Sequence, residues 1–215
     1  MLPACLLALI AGYADTIGFL RYEAFAGLMT GNTIFFGVEV ARGRWLDAAF
    51  HAAIMAAFLA GVILSRVMLR LGFPVWTALG AAAILLVITG LLGRREAALV
   101  LPLAMGMQNS AANRFNGVAL NTVFITGNIQ KVGEGLLAWL WPSNDPAAPK
   151  SDGVAIFALV WFGYALGAGL GALANQAMSQ PLLVPAALLP FIMFRLGGVS
   201  SGVRPSGPDT KNNAR

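Results

Sequence analysis

Charge is scarce in this chain, and cysteine and histidine are nearly missing. Only 11% of its 215 residues are Asp, Glu, Lys or Arg, with one cysteine and one histidine. Soluble globular chains carry about a quarter charged residues, so an ordinary water-soluble domain is excluded. Cys5 alone rules out an intrachain disulfide framework and a cysteine metal cluster. The lone His51 and the lack of carboxylate–histidine clusters argue against a metal site, and no cofactor is expected. G-x-S-x-G, H-E-x-x-H and a phosphate-binding glycine loop are also missing. An intramembrane protease would need a Ser–His or two-aspartate dyad. Asp15 has no intramembrane partner of its own kind, and His51 falls at a helix start. No enzymatic activity is expected. The net charge of +5 and pI near 10 invite a nucleic-acid reading. The basic residues, however, sit in short clusters between apolar runs, as in cytoplasmic loops of membrane proteins, so nucleic acid is not an expected partner.

What the chain has in abundance is hydrocarbon: 58% apolar residues and a mean hydropathy of +0.75. Residues 2–20, 74–93 and 153–174 each approach the roughly 20 needed to cross a bilayer core. A membrane β-barrel would alternate over about 10 residues, and no such alternation is present. The expectation is an all-α, polytopic membrane bundle whose first partner is the lipid bilayer. "MLPACLLALIAGYA" lacks a basic leader, and its cysteine precedes the apolar run, so it reads as the first membrane helix rather than a cleaved signal. Residues 197–215, rich in Gly, Ser, Pro and charge, read as a disordered tail.

Breaks at Gly, Pro and charged clusters predict eight segments: 2–20, 24–40, 47–69, 74–93, 97–113, 118–141, 153–178 and 181–196. The second and fifth are the weakest and could be re-entrant, leaving six or seven crossings. Counted over eight crossings, Arg42, Arg44, Arg94, Arg95, Lys150 and the tail's Arg195, Arg204, Lys211 and Arg215 share one side. Arg21, Arg66, Arg70 and Arg114 take the other. The richer side is expected in the cytoplasm, with both chain ends, and the membrane to be the bacterial inner membrane.

The polar tripeptide Thr-Gly-Asn occurs twice within oily stretches, in "GLMTGNTIFFG" (27–37) and "VFITGNIQKVG" (123–133). Each copy is followed by a glycine seven residues after its threonine, Gly37 and Gly133. Each is preceded by a helix ending in polar residues, Asp15 in one case and Gln108 with Asn109 in the other. Small residues then recur every fourth position, at Ala53, Ala57, Gly61 and Ser65, and at Gly163, Gly167 and Gly171. Pro74 and Pro181 open the closing helices. Five matched features in one order predict a duplicated unit, 1–95 and 96–196. Four crossings per unit would make the units parallel, and a re-entrant Thr-Gly-Asn element would make them inverted. The sequence alone slightly favours the parallel arrangement.

The small stripes read as helix-packing faces, because close backbone approach must supply what hydrophobic burial cannot in lipid. Thr-Gly-Asn weakens a helix, and freed backbone groups in hydrocarbon must pack inside protein or line a cavity. These sites are therefore expected to face the interior near the seam between units. There they either hydrogen-bond neighbouring helices or offer backbone groups to a solute. The candidate substrate-binding residues are Asp15, Thr30, Gly31, Asn32, Thr33, Gln108, Asn109, Thr126, Gly127 and Asn128. Asp15 is the one asymmetric carboxylate, since its counterpart Asn109 is neutral, and it is a candidate for proton or cation coupling. Lys131 and Glu134 can pair at i, i+3, and Glu39 with Arg42 and Arg44 reads as a loop-edge salt bridge. The reading is a small transporter or channel-like permease for a small molecule or ion. A non-transporting scaffold or regulatory partner is the alternative, and self-association is compatible with either.

"AGYADTIGFL", "LMTGNTIFFG", "MGMQNSAANR" and "FITGNIQKVGEGL" together resemble the YoaK-like family of bacterial membrane proteins, a group with a domain of unknown function. The likeness spans nearly the whole chain. Its signature positions would be Gly12, Asp15, Thr30, Gly31, Asn32, Thr33 and Gly37, then Gln108, Asn109, Thr126, Gly127 and Gly133. Lys131 stands where the pattern is usually uncharged. The resemblance implies an integral inner-membrane protein and supplies no substrate.

Overall fold

Each apolar segment between Gly, Pro and charge breaks folds as a helix, because in hydrocarbon a backbone must satisfy its own hydrogen bonds. A computed structural model describes residues 2–111, 114–115, 118–119, 125–141 and 154–200. Its helices are α1 (Leu2–Tyr22), α2 (Met29–Ala41), α3 (Trp45–Arg70), α4 (Val75–Leu91), α5 (Arg94–Ala111), α6 (Ile125–Leu140), α7 (Val154–Ala177) and α8 (Leu183–Ser200). The sequence predicts eight segments, and eight helices form among the described residues. A small antiparallel pairing of β1 (Arg114–Phe115) with β2 (Val118–Ala119) precedes α6. It occupies ground assigned to helix from residue 118, so α6 starts later, at Ile125. Helix α8 runs to Ser200, four residues into the stretch expected as tail, and residues 201–215 lie outside the described residues.

Two tight turns are fixed by glycines in the left-handed region. Gly43 (φ 70) follows α2 and Gly72 (φ 85) follows α3. In each, the residue after glycine bonds back across the last turn: Arg44 N–H to the Glu39 carbonyl at 2.9 Å, and Phe73 N–H to the Met68 carbonyl at 3.1 Å. This is the Schellman closure, which an L side chain would strain. Pro74 and Pro181 open the closing helices as expected, their carbonyls accepting from Thr77 N–H (3.0 Å) and Val184 N–H (3.2 Å).

The helices pack in a row, α2 on α3, α3 on α5, α5 on α1, α1 on α7 and α7 on α6. Helices α4 and α8 pack on each other and on α5 and α1 respectively. Leu7, Ile10, Ile17, Leu79, Leu101 and Met105 are fully buried at the centre. By contrast α3 exposes Leu59, Ile63 and Val67, and α7 exposes Phe162, Leu166, Leu170 and Leu173. Such apolar faces suit a lipid surround. Helices α1, α3 and α7 are long and apolar enough to cross a membrane, and α4 and the described part of α8 are shorter apolar helices.

One end of the bundle gathers the close of α1, the close of α4, the start of α5 and the α7–α8 junction. Arg21 donates to Asn175 Oδ1 (2.6 Å) and to the carbonyls of Met178 and Ser179. Arg94 pairs with Glu23 at 2.7 Å, and Gln180 packs at Gly90. Helices α1, α4 and α7 therefore run one way, α5 and α8 the other. Since α3 turns into α4 through residues 71–74, it runs with α5. Counting eight alternating crossings separates Arg21 from Arg94, yet the structure brings them to the same end. The physical reason is α2: the chain leaves the end of α1, passes through α2, and starts α3 at that same end.

The expected small-residue seams are where α1 meets α7 and α3 meets α5. A Cβ on Gly12 would collide with the Tyr164 carbonyl, and one on Gly167 with the Leu9 carbonyl. A Cβ on Gly106 would collide with the Phe58 carbonyl, and one on Gly61 with the Leu103 carbonyl. Gly163, Gly171 and Ser65 are buried beside these crossings, whereas Ala53 is exposed.

Candidate functional site

The site grows from a polar residue deep in α1. Asp15 is 3% exposed and lies seven residues before the end of its helix, about 10 Å along the axis at 1.5 Å per residue. Its Oδ1 accepts from the backbone N–H groups of Gly27 (2.6 Å) and Leu28 (3.1 Å). These bonds draw the chain back into the bundle after α1 ends. The reversal is made at Glu23, which adopts a left-handed φ of 58. Leu28, the residue before α2, has no side-chain cap of its own. Asp15 serves from the neighbouring helix instead, placing a carboxylate near the partially positive N-terminus of α2.

Asn32, 0% exposed, completes the fastening. Phe25 N–H donates to its Oδ1 (2.9 Å) and its Nδ2 donates to the Phe25 carbonyl (2.8 Å), so one side chain satisfies both backbone groups. Thr33 bonds back to the Met29 carbonyl at 2.9 Å. Gly31 leaves room for the Phe25 ring, which packs near-parallel with Phe19 (5.3 Å) and Phe35 (5.8 Å) in a three-ring cluster. Irregular backbone beside a buried carboxylate would be costly in a membrane, and here its polar groups find partners.

Tyr164 of α7 closes the cluster by donating to Asp15 Oδ2 at 2.6 Å. The sequence reading passed over this residue. The available signal was a phenol in an apolar, glycine-rich helix, since a buried Tyr hydroxyl needs a polar partner.

The remaining candidates lie elsewhere. Gln108 donates to the Leu7 carbonyl of α1 at 3.0 Å, and its Oε1, like Asn109 Oδ1, has no partner among the described residues. Thr126, Gly127 and Asn128 occupy the first turn of α6, as Thr30, Gly31 and Asn32 occupy that of α2. Asn32 and Asn128 are buried, while Thr30, Thr33, Thr126 and Gly127 are exposed. Helix α2 packs on α3 and α6 on α7, at opposite ends of the row, so the two tripeptides are not brought together. Lys131 and Glu134 pair at 2.7 Å, and Glu39 pairs with Arg42 and Arg44.

Helices with apolar outer faces, three of them long and apolar enough to cross a bilayer, define a polytopic helical membrane protein. The chain belongs to the family described as "Protein of unknown function (DUF1275)", whose model matches residues 3–195. It is similar to the UPF0700 transmembrane protein YoaK of Bacillus subtilis (strain 168), 25% identical over 204 residues, covering 88% of this chain and 90% of the relative. It is also similar to the UPF0700 transmembrane protein RA0705 of Rhizobium meliloti (strain 1021), 29% identical over 190 residues, covering 85% of this chain and 80% of the relative. No solved structure matches it.

Proposed function

We propose that the protein is a small permease of the bacterial inner membrane, built from two inverted halves, 1–95 and 96–196. Each half has three crossings and one re-entrant Thr-Gly-Asn element. The carrying observation is the segment between α1 and α2, irregular backbone fastened by Asp15 and Asn32 about two turns in from the end of α1. In membranes such segments are tolerated where they pack inside protein or line a solute path, and discontinuous helices bind solutes in transporters. Duplication is supported by the glycine crossings. Gly12 and Gly106, like Leu9 and Leu103, are 94 residues apart, and Gly61 and Gly167, like Phe58 and Tyr164, are 106 apart. The α1–α7 contacts thus recur, residue for residue, between α5 and α3. Opposite running directions of α1 and α5 favour inversion over the parallel arrangement.

With three crossings per half, Arg21, Arg42, Arg44, Arg94 and Arg95 share one side. The other nine of the fourteen Lys and Arg residues fall with both chain ends, which argues for ends in the cytoplasm. No reaction is proposed, and the substrate is a small solute. The test is reconstitution into vesicles with a panel of solutes, comparing the native chain with Asn32→Ala and Asn128→Ala. Flux absent in the native chain, or indifferent to both changes, sinks the reading.

A second reading is favoured by the outward-facing Thr30, Thr33, Thr126 and Gly127 on the outermost helices. Under it these faces dock a membrane partner or a second copy, and the protein is a scaffold. Site-directed crosslinking from Thr30 and Thr126 in native membranes would then capture a protein where the permease reading expects lipid.

A further inference from the structure

We propose that Asp15 is a reversible proton-binding site, one whose counterpart Asn109 is neutral, and that the Tyr164 hydroxyl reports its protonation across the α1–α7 seam. Its role in coupling rests on the permease reading, whereas the proton site itself does not.

The groups that surround the carboxylate are hydrogen-bond donors: Gly27 N–H, Leu28 N–H and Tyr164 O–H. Donors aimed at a carboxylate suit an anion or a carboxylic acid, but they turn positive hydrogens toward the space a metal cation would need. Hard cations demand several oxygen ligands, and no metal-binding cluster of carboxylates or histidines exists among the described residues. A proton is the cation this pocket can take.

Counter-charge is lacking as well. Other charged or titratable groups of the packed elements are engaged or placed elsewhere: Arg21 on Asn175 and the carbonyls of 178 and 179, Glu23 on Arg94, Tyr13 on the Pro181 carbonyl, Cys5 on the Leu159 carbonyl, and Tyr22 at the close of α1 beside Arg21. Arg95 and Glu96 sit in the first turn of α5, at that same end of the bundle, and α7 carries no charged residue. Asp15 makes no ion pair among the described residues. A buried carboxylate without a cation is expensive as an anion in a membrane, and taking one proton from solution removes the charge with no other reactant.

Protonation also rewrites the local hydrogen bonding. An ionised carboxylate only accepts, whereas the acid carries one O–H donor. Gly27 and Leu28 can donate in either state, so Oδ1 keeps its bonds. A proton on Oδ2 meets the Tyr164 hydroxyl, which must then accept instead of donate and turn its own hydrogen away. The change therefore falls on α7, in the other half, and not on the re-entrant segment.

The pseudo-equivalent positions supply the natural control. Asn109 stands for Asp15 and Phe58 for Tyr164, a neutral amide and a ring without a hydroxyl. Asp15→Asn with Tyr164→Phe thus copies into the α1–α7 seam the pair that the α5–α3 seam already carries. We expect both single variants and the double variant to fold, as read by thermal melting of the purified protein.

The experiment is infrared difference spectroscopy of the full chain in lipid vesicles, stepped from alkaline to acidic pH. Among the protonated-carboxyl bands that the nine Asp and Glu residues give on acidification, one should be lost in Asp15→Asn and shifted in Tyr164→Phe. If no band of the native chain is lost in Asp15→Asn at any pH, Asp15 is a fixed structural anchor and the proposal is overturned. A chain that titrates in this way but moves no solute refutes the permease and leaves the proton site standing.

Discussion

At the scale of single residues, the tripeptide's asparagine has a more definite role than its threonine. Asn32 satisfies the N–H and C=O of Phe25 from a fully buried position. Asn32→Ala strands both groups, and a buried unsatisfied group costs about 1–3 kcal/mol. The expected loss is on the order of 2 kcal/mol or more, read as a lowered unfolding midpoint in detergent. Thr30→Val, on the exposed face, should change the same midpoint little. The sequence made Asp15 and Asn32 visible because polar residues in an oily run are rare. Their shared target was not visible: nothing in "YEAFAGL" announces that its backbone will be held by side chains seven to thirteen positions away. Tyr164 was harder still, since its partner lies 149 residues distant.

At the scale of helices, boundaries were legible wherever punctuation is local. Gly43, Gly72 and Pro74 stop or start helices by their own conformational limits, and α3 and α4 fall close to their expected bounds. Helix α2 starts five residues later than the apolar pattern suggested, because tertiary bonds to Asp15 and Asn32 outbid helix formation over 24–28. The glycines divide into two classes with opposite expectations. Gly12→Ala, Gly61→Ala, Gly106→Ala and Gly167→Ala each push a methyl into a facing carbonyl. Each should destabilise by about 1–3 kcal/mol, the usual penalty of overpacking. Gly37 and Gly133 face open space within helices. Alanine there should be neutral or stabilising by roughly 0.5–1 kcal/mol. Melting the six variants in detergent separates the classes, and equal penalties across all six would contradict the packing described.

At the scale of the whole molecule, the running directions of the helices follow from which helix ends meet. The sequence favoured parallel units because eight apolar segments invite eight crossings, and composition cannot distinguish a re-entrant helix from a spanning one. Contacts between Arg21 and Asn175, and between Glu23 and Arg94, decide the directions. Single cysteines at Glu23, Arg44 and Ser179, on a Cys5→Ser background, should react with an impermeant maleimide from one side of the membrane. One at Gly72 should react only from the other. If positions 23 and 44 label from opposite sides, α2 crosses and the three-crossing halves are wrong.

The pairing of α1 with α7 also sets a timetable for synthesis. Arg21 and Asp15 find their partners 154 and 149 residues downstream, so α1 enters the membrane long before α7 has been made. Until then its glycine face stays unpacked, and Asp15 can be shielded only by the segment that follows it. A chain that stops before α7 would leave Gly12 without its facing helix and Asp15 without the Tyr164 hydroxyl. Helix α1 is therefore not completed by its neighbours in sequence: covering its inner face depends on translating α7.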